Sequence, residues 1–167
     1  MIARYLTMTE HVISRNTADD DEFATSKSIG FLVRKTHRSF TRALEKRLKE
    51  HDISISMWFF LRLLWEKDGL SQKQCSEELS LTQPTTVSAM DNLERRGLIQ
   101  RVRNERDRRL TNIFLTEKGR DLRGELVHYA GDVNGIATSG LDDWETQALH
   151  SLLTKVNAAL EQDVDGA

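Results

Sequence analysis

SQKQCSEELSLTQPTTVSAMDNLERRGLIQRVRNERDRRLTNIFLT, residues 71–116, is the stretch that decides the architecture. Ser71 followed by Gln74 has capping-box spacing, in which each side chain satisfies a backbone donor left over at a helix start. A short helix to about Leu79 is expected. After Ser80 and Leu81, Thr82 is placed to cap a second helix. Pro84 is tolerated in its first turn, where the amides have no partner to lose, and Gly97 ends it. The period then changes: Leu98, Ile99 and Val102, then Ile113, Phe114 and Leu115, flank a polar tip running from Arg103 to Arg109. That pattern predicts a β-hairpin.

Working outward, apolar residues recur at helical spacing from Ile29 to Leu48, and a helix starting at Ser54 or Ser56 runs through Trp65. Downstream, Thr116 caps a helix carrying Leu122, Leu126, Tyr129, Val133 and Ile136. Asp142 with Glu145 opens a last one, with Trp144, Leu149, Leu152, Leu153, Val156 and Leu160. The fold class is therefore mainly α with a small β-hairpin wing: a winged helix-turn-helix core plus N- and C-terminal dimerisation helices. The division expected is a mobile N-terminal arm over 1–25, ending in the acidic run 19–22, and a dimerisation helix over 26–52. A DNA-binding core over 53–116 and C-terminal dimerisation helices over 117–163 follow.

Two short helices followed at once by a basic hairpin suit duplex DNA, because a helix fits the major groove and an arginine-tipped hairpin can enter the narrower minor groove. On this reading Ser71, Gln72 and Lys73 position the protein on phosphate. Gln83, Thr85, Thr86 and Ser88 face the bases, and Arg103, Arg106, Arg108 and Arg109 add affinity. The formal net charge of -2 does not oppose this. Residues 71–120 hold ten Lys/Arg against seven Asp/Glu, so positive charge is concentrated where it is needed.

Other classes find little support. The longest apolar run, Met57 to Leu61, is far short of the ~20 residues a membrane helix requires. The first residues lack the apolar block of a secretory signal, so a cytoplasmic location is expected. The single cysteine, Cys75, cannot form an internal disulfide, and its place on the third helix suits core packing better than redox sensing. His11, His37, His51, His128 and His150 show no paired metal spacing, and neither a cofactor nor a metal is expected. There is no glycine-rich phosphate loop, nucleophile motif or zinc-hydrolase pattern, which argues against an enzyme. The rival to DNA binding is a winged-helix protein-interaction module that does not touch DNA.

The motifs closely resemble the MarR family of transcription regulators. The resemblance is carried by Gly69 to Gln74, by Leu81-Thr82-Gln83-Pro84-Thr85, and by Asp91 to Ile99. Most specific is Asp107-Arg108-Arg109, followed by Leu115-Thr116 and Glu117-Lys118-Gly119-Arg120. The resemblance implies that Arg109 enters the minor groove, that Asp107 braces the wing, and that the first, fifth and sixth helices form a homodimer reading a pseudo-palindromic operator. Ser88 and Asn92 stand where many relatives are basic, so sequence preference is expected to rest on Gln83, Thr85, the wing and DNA shape. Repression is the family default, and members of the family often bind small aromatic or anionic molecules. Arg34, His37 and Arg38 could supply the cationic side of a pocket walled by Trp58 and Phe59. By spacing alone, Trp58, Phe59, Phe60 and Trp65 are core aromatics.

Overall fold

A computed structural model of the chain describes residues 27–166. The expected mobile arm, 1–25, lies outside the described residues. The elements in order are α1 (Ile29–Leu48), a 3-10 turn (Lys49–His51), α2 (Ile55–Glu66), α3 (Gln72–Glu78) and α4 (Gln83–Arg95). Then come β1 (Ile99–Arg103), β2 (Thr111–Leu115), α5 (Glu117–Thr138) and α6 (Asp143–Asp165). The chain divides into two compact units at Arg42/Ala43. The described part of the first is the leading portion of α1, where Ser28 accepts the Phe31 N–H at 3.3 Å and the side chains of Ile29, Phe31, Leu32 and Val33 are exposed.

The second unit is built on α2, which is apolar on nearly every face because it sits at the centre. Met57, Trp58, Phe60, Leu61 and Leu64 are buried, and they meet Ala89, Met90 and Leu93 of α4 and Ile113 and Leu115 of β2 in one core. Local signals set the helix starts. Ser54 Oγ accepts from Met57 N at 3.3 Å, Thr116 Oγ1 from Gly119 N at 3.1 Å, and both Ser71/Gln74 and Asp142/Glu145 form full capping boxes. Thr82 occupies the N-cap position of α4 with extended backbone, but its hydroxyl pairs with the Thr85 hydroxyl at 3.0 Å in place of a backbone amide.

β1 and β2 pair antiparallel, with Ile99 opposite Leu115 and Arg103 opposite Thr111. A short extended piece that sequence periodicity did not reveal lies along the other edge of β2. Ile113 N donates to Leu70 O at 2.8 Å, Gly69 N to Ile113 O at 3.0 Å, and Ser71 bridges Asn112. Gly69 is required there: its φ is +82°, and a Cβ would stand 2.7 Å from the Phe114 ring.

α5 begins hard against the end of α4. The Thr116 hydroxyl donates to Gly97 O at 2.6 Å, Thr116 N to Leu98 O at 3.1 Å, and Lys118 Nζ to Arg96 O at 3.0 Å. From below, Trp65 Nε1 donates to Gly119 O at 2.8 Å. α6 carries no buried side chain among its described residues. Trp144, Leu152, Leu160 and Val164 are each more than half exposed. No helix among the described residues is long and apolar enough to cross a membrane.

Candidate nucleic-acid interface

The turn between α3 and α4 is fixed by Ser76, which is buried. Its hydroxyl donates to Leu81 O at 2.9 Å, and its carbonyl accepts Leu81 N at 3.1 Å across Ser80, whose φ of +49° reverses the chain. Gln83 Nε2 approaches the same hydroxyl at 3.4 Å, which ties the first residue of α4 to α3. On the other side, Arg101 of β1 reaches Asp91 at 2.7 Å and Glu94 at 2.8 Å, clamping α4 to the wing. α4 and the hairpin are thus held as one body.

The wing tip is organised by side-chain carbonyls acting on backbone amides. Asn104 Oδ1 accepts from both Arg106 N and Asp107 N at 2.9 Å, and Asp107 Oδ1 accepts from Arg109 N at 3.0 Å. Asn104 Nδ2 donates to Asn112 Oδ1 at 3.0 Å, and Asn112 Nδ2 to Gly69 O at 2.6 Å, so an amide chain anchors the tip to the α2–α3 turn. Asn104 and Asn112 were missed by sequence reasoning, although an Asn three residues before an Asp at a tip is a turn signal. Replacing Asn104 by Ala should weaken duplex binding on the order of tenfold while lowering the thermal midpoint by only about 3 °C, since one local turn is loosened and no core is opened. Fluorescence anisotropy beside a melting curve checks both.

The arginines divide by task. Arg96 donates to His51 O at 2.8 Å and also to Asp52 O, Arg95 to Asn92, and Arg101 to the α4 carboxylates. Arg96 and Arg101 hold the fold, whereas the exposed Arg95 bonds only within its own helix. Arg103 is exposed, and its Nε donates to Arg108 O at 2.8 Å, stiffening the tip. Arg106, Arg108 and Arg109 are exposed, and among the described residues their guanidinium groups make no ion pair. Arg109, Leu110 and Thr111 on one side and Gln72, Lys73 and Gln83 on the other line a single open cleft. The tip and the start of α4 therefore face the same way.

Within the expected contact set, Lys73, Gln83, Thr85 and Ser88 are exposed and Gln72 is half-buried. Thr86 is a correction. It is 0% exposed, it packs into the core beside Ala89 and Met90, and its hydroxyl has no hydrogen-bond partner among the described residues. Helical spacing turns it a full 100° from Thr85, onto the inner face. Thr86→Val, which exchanges that hydroxyl for a methyl of the same shape, should raise stability by about 1 kcal/mol and leave DNA affinity unchanged. Denaturant melts and a DNA titration test the two halves. Ser71 is also corrected: it is buried, and its hydroxyl is held in the capping box, so it forms the floor of the cleft and presents no free group.

The effector residues are similarly sorted. Arg34, His37 and Arg38 are exposed on α1 and Phe59 is half-buried. Trp58 is 1% exposed and stands edge-on to Trp65 with ring centroids 5.7 Å apart, so it is a core residue and walls no open pocket. Cys75 is fully buried, and burial pushes its thiol up to about 11. With the thiolate suppressed, labelling of native protein by a thiol reagent at pH 8 should run at least about a hundredfold slower than in denaturant. Equal rates would show the helix to be open.

Comparison with known proteins agrees with this geometry. Residues 53–111 match the family model described as MarR family. The HTH-type transcriptional regulator TtmR of Methylorubrum extorquens is 31% identical over 131 residues, covering 78% of this chain and 67% of that protein. The organic hydroperoxide resistance transcriptional regulator of Bacillus subtilis is 30% identical over 135 residues, covering 80% and 92%. The chain belongs to the MarR family. Solved MarR-type structures superpose over most of its length, among them a Staphylococcus aureus MepR–DNA complex, with TM-score 0.72, 27% identity, and coverage of 79% of this chain and 98% of that one. A Listeria monocytogenes MarR-family regulator complexed with a 26mer DNA gives TM-score 0.76 at 25% identity, covering 82% and 91%. As a MarR-family transcription regulator, the protein is not an enzyme.

Proposed function

We propose that this MarR-family regulator works in the cytoplasm as a homodimeric, sequence-specific DNA-binding repressor. It would lay α4 in the major groove of each half-site and the Arg108/Arg109 tip in the adjoining minor groove. The observation that carries the reading is the shared cleft between Arg109 and Gln83, which turns free guanidinium charge and the start of α4 toward one ligand. Relatives of the same fold solved on DNA support it. The exposed stripe of α6, with Trp144, Leu152 and Leu160, supports dimerisation, because apolar surface on that scale is covered in stable soluble proteins. A two-fold dimer reads a pseudo-palindrome with half-sites about one DNA turn, ~34 Å, apart.

Salt dependence is the test. Lys73, Arg106, Arg108 and Arg109 from two protomers would neutralise up to eight phosphates, for a slope of log affinity against log salt of about -7. No duplex binding at low salt would favour the protein-interaction module. Release by a small aromatic or anionic effector belongs to the same proposal, with Arg34, His37 and Arg38, exposed on α1, as the anion-attracting groups. A panel of phenolic and carboxylic ligands that shifts neither the melting temperature nor operator affinity would remove that part.

A further inference from the structure

The outer side of α4 is less polar than a base-reading surface built on hydrogen bonds. Gln83, Pro84, Val87, Ser88 and Asp91 come to the surface together, and no lysine or arginine joins them before Arg95 at the far end. Val87 sits at the centre of this face and is 41% exposed, one turn from Pro84 on one side and Asp91 on the other. Several of the neighbouring polar side chains already have partners, while the exposed Ser88 contributes a small hydroxyl. The Gln83 amide leans on Ser76 at 3.4 Å, the Thr82 and Thr85 hydroxyls bond each other at 3.0 Å, and Asp91 is held by Arg101 at 2.7 Å. Asn92 Nδ2 donates to Ser88 O at 2.9 Å.

An apolar knob pressed into the major groove meets one apolar feature there, the C5-methyl of thymine. Over a G·C pair it would cover ring and exocyclic hydrogen-bonding groups and give them nothing in return. We propose that Val87 is a specificity-determining residue that packs on a thymine methyl in each half-site, with Pro84 extending the apolar contact. The operator is thereby required to carry an A·T pair, thymine toward the helix, at that step. The proposal rests on the DNA-binding reading above. It commits to duplex DNA as the occupant because Gln83 belongs both to this face and to the cleft that ends at Arg109, so the apolar patch is continuous with the basic groove.

The experiment begins by selecting bound duplexes from a random pool with the full-length protein, then replaces each thymine of the selected site by uracil. That change deletes the methyl and keeps the base-pair hydrogen bonds. At one symmetry-related pair of positions, uracil should weaken wild-type binding about fourfold in one half-site and on the order of fifteenfold in both, the worth of one buried methyl each. In Val87→Ala, an exposed-site change whose folding is checked by an unaltered melting curve, binding should be weaker overall and the uracil penalty at that pair should vanish, while penalties elsewhere persist. If duplex is bound and no uracil penalty depends on Val87, the thymine assignment is overturned. If no duplex is enriched at all, the DNA-binding reading fails first.

Discussion

Gly119→Ala is expected to destabilise the protein by about 3 kcal/mol, although alanine is the better helix former by about 1 kcal/mol. The sign follows from what surrounds this glycine in the first turn of α5. A Cβ there would overlap the Leu98 carbonyl oxygen and stand 3.0 Å from its carbon and 3.2 Å from Leu115 Cδ2. The obstacle cannot swing aside, because Leu98 O is the acceptor for Thr116 N and the Gly119 carbonyl is itself held by Trp65. Relief therefore means lifting α5 off the end of α4, which loses the bonds to Gly97 O and Arg96 O as well. Overpacking against backbone at the upper end of its range, with about one hydrogen bond lost, outweighs the propensity gain. For a chain of 167 residues the thermal midpoint should drop by roughly 9 °C in a calorimetric or fluorescence melt. An unchanged or raised midpoint would mean that the two helices do not approach as described.

The second large effect concerns the tip. Arg109→Ala should weaken binding of a dimer on the order of a hundredfold, about tenfold for each of two guanidinium contacts, and should reduce the salt slope by about 2. Because a minor-groove arginine senses backbone charge and groove width more than base identity, selected and random duplexes should suffer comparably. Anisotropy titrations on both duplexes across a salt series measure the effect. A loss confined to the selected sequence would make Arg109 a base reader and contradict its assignment. Arg109 should be neutral for stability, since its side chain is exposed and its backbone N–H, the part held by Asp107, survives the substitution.

The helix starts were legible in the sequence because each is a local device. Ser71 with Gln74, Thr116, and Asp142 with Glu145 act within three residues of themselves and form as the spacing suggests, Ser54 takes the cap that Ser54 or Ser56 could supply, and Thr82 stands at its N-cap position without bonding a backbone amide. The hairpin was legible for the same reason, in the change of apolar period on either side of the arginines. Partners far away in sequence were not. Nothing in the run Arg95 to Arg109 announces that Arg96 caps carbonyls at His51 and Asp52, or that Arg101 is consumed by α4, so charge counting overstated the free cations. Thr86 is the same residue type as its exposed neighbour Thr85, and only the rotation of α4 about its axis, set by packing on α2, separates them. Val87 escaped notice because a single valine in a helix reads as core until its exposure is known.

The junction at Gly119 also bears on how a distant signal could reach DNA. α5 runs for 22 residues from that point, a rod of about 33 Å. Its near end is bolted to the segment that joins recognition helix to wing. A rod fixed in this way behaves as a crank: tilting its outer end by about 3 Å would swing the inner end through roughly 5°. α4 and the wing, themselves riveted together by Arg101, would then turn in step, and under the proposed binding mode the pitch between two such heads could fall out of phase with the duplex with no atom of α4 or the wing altered.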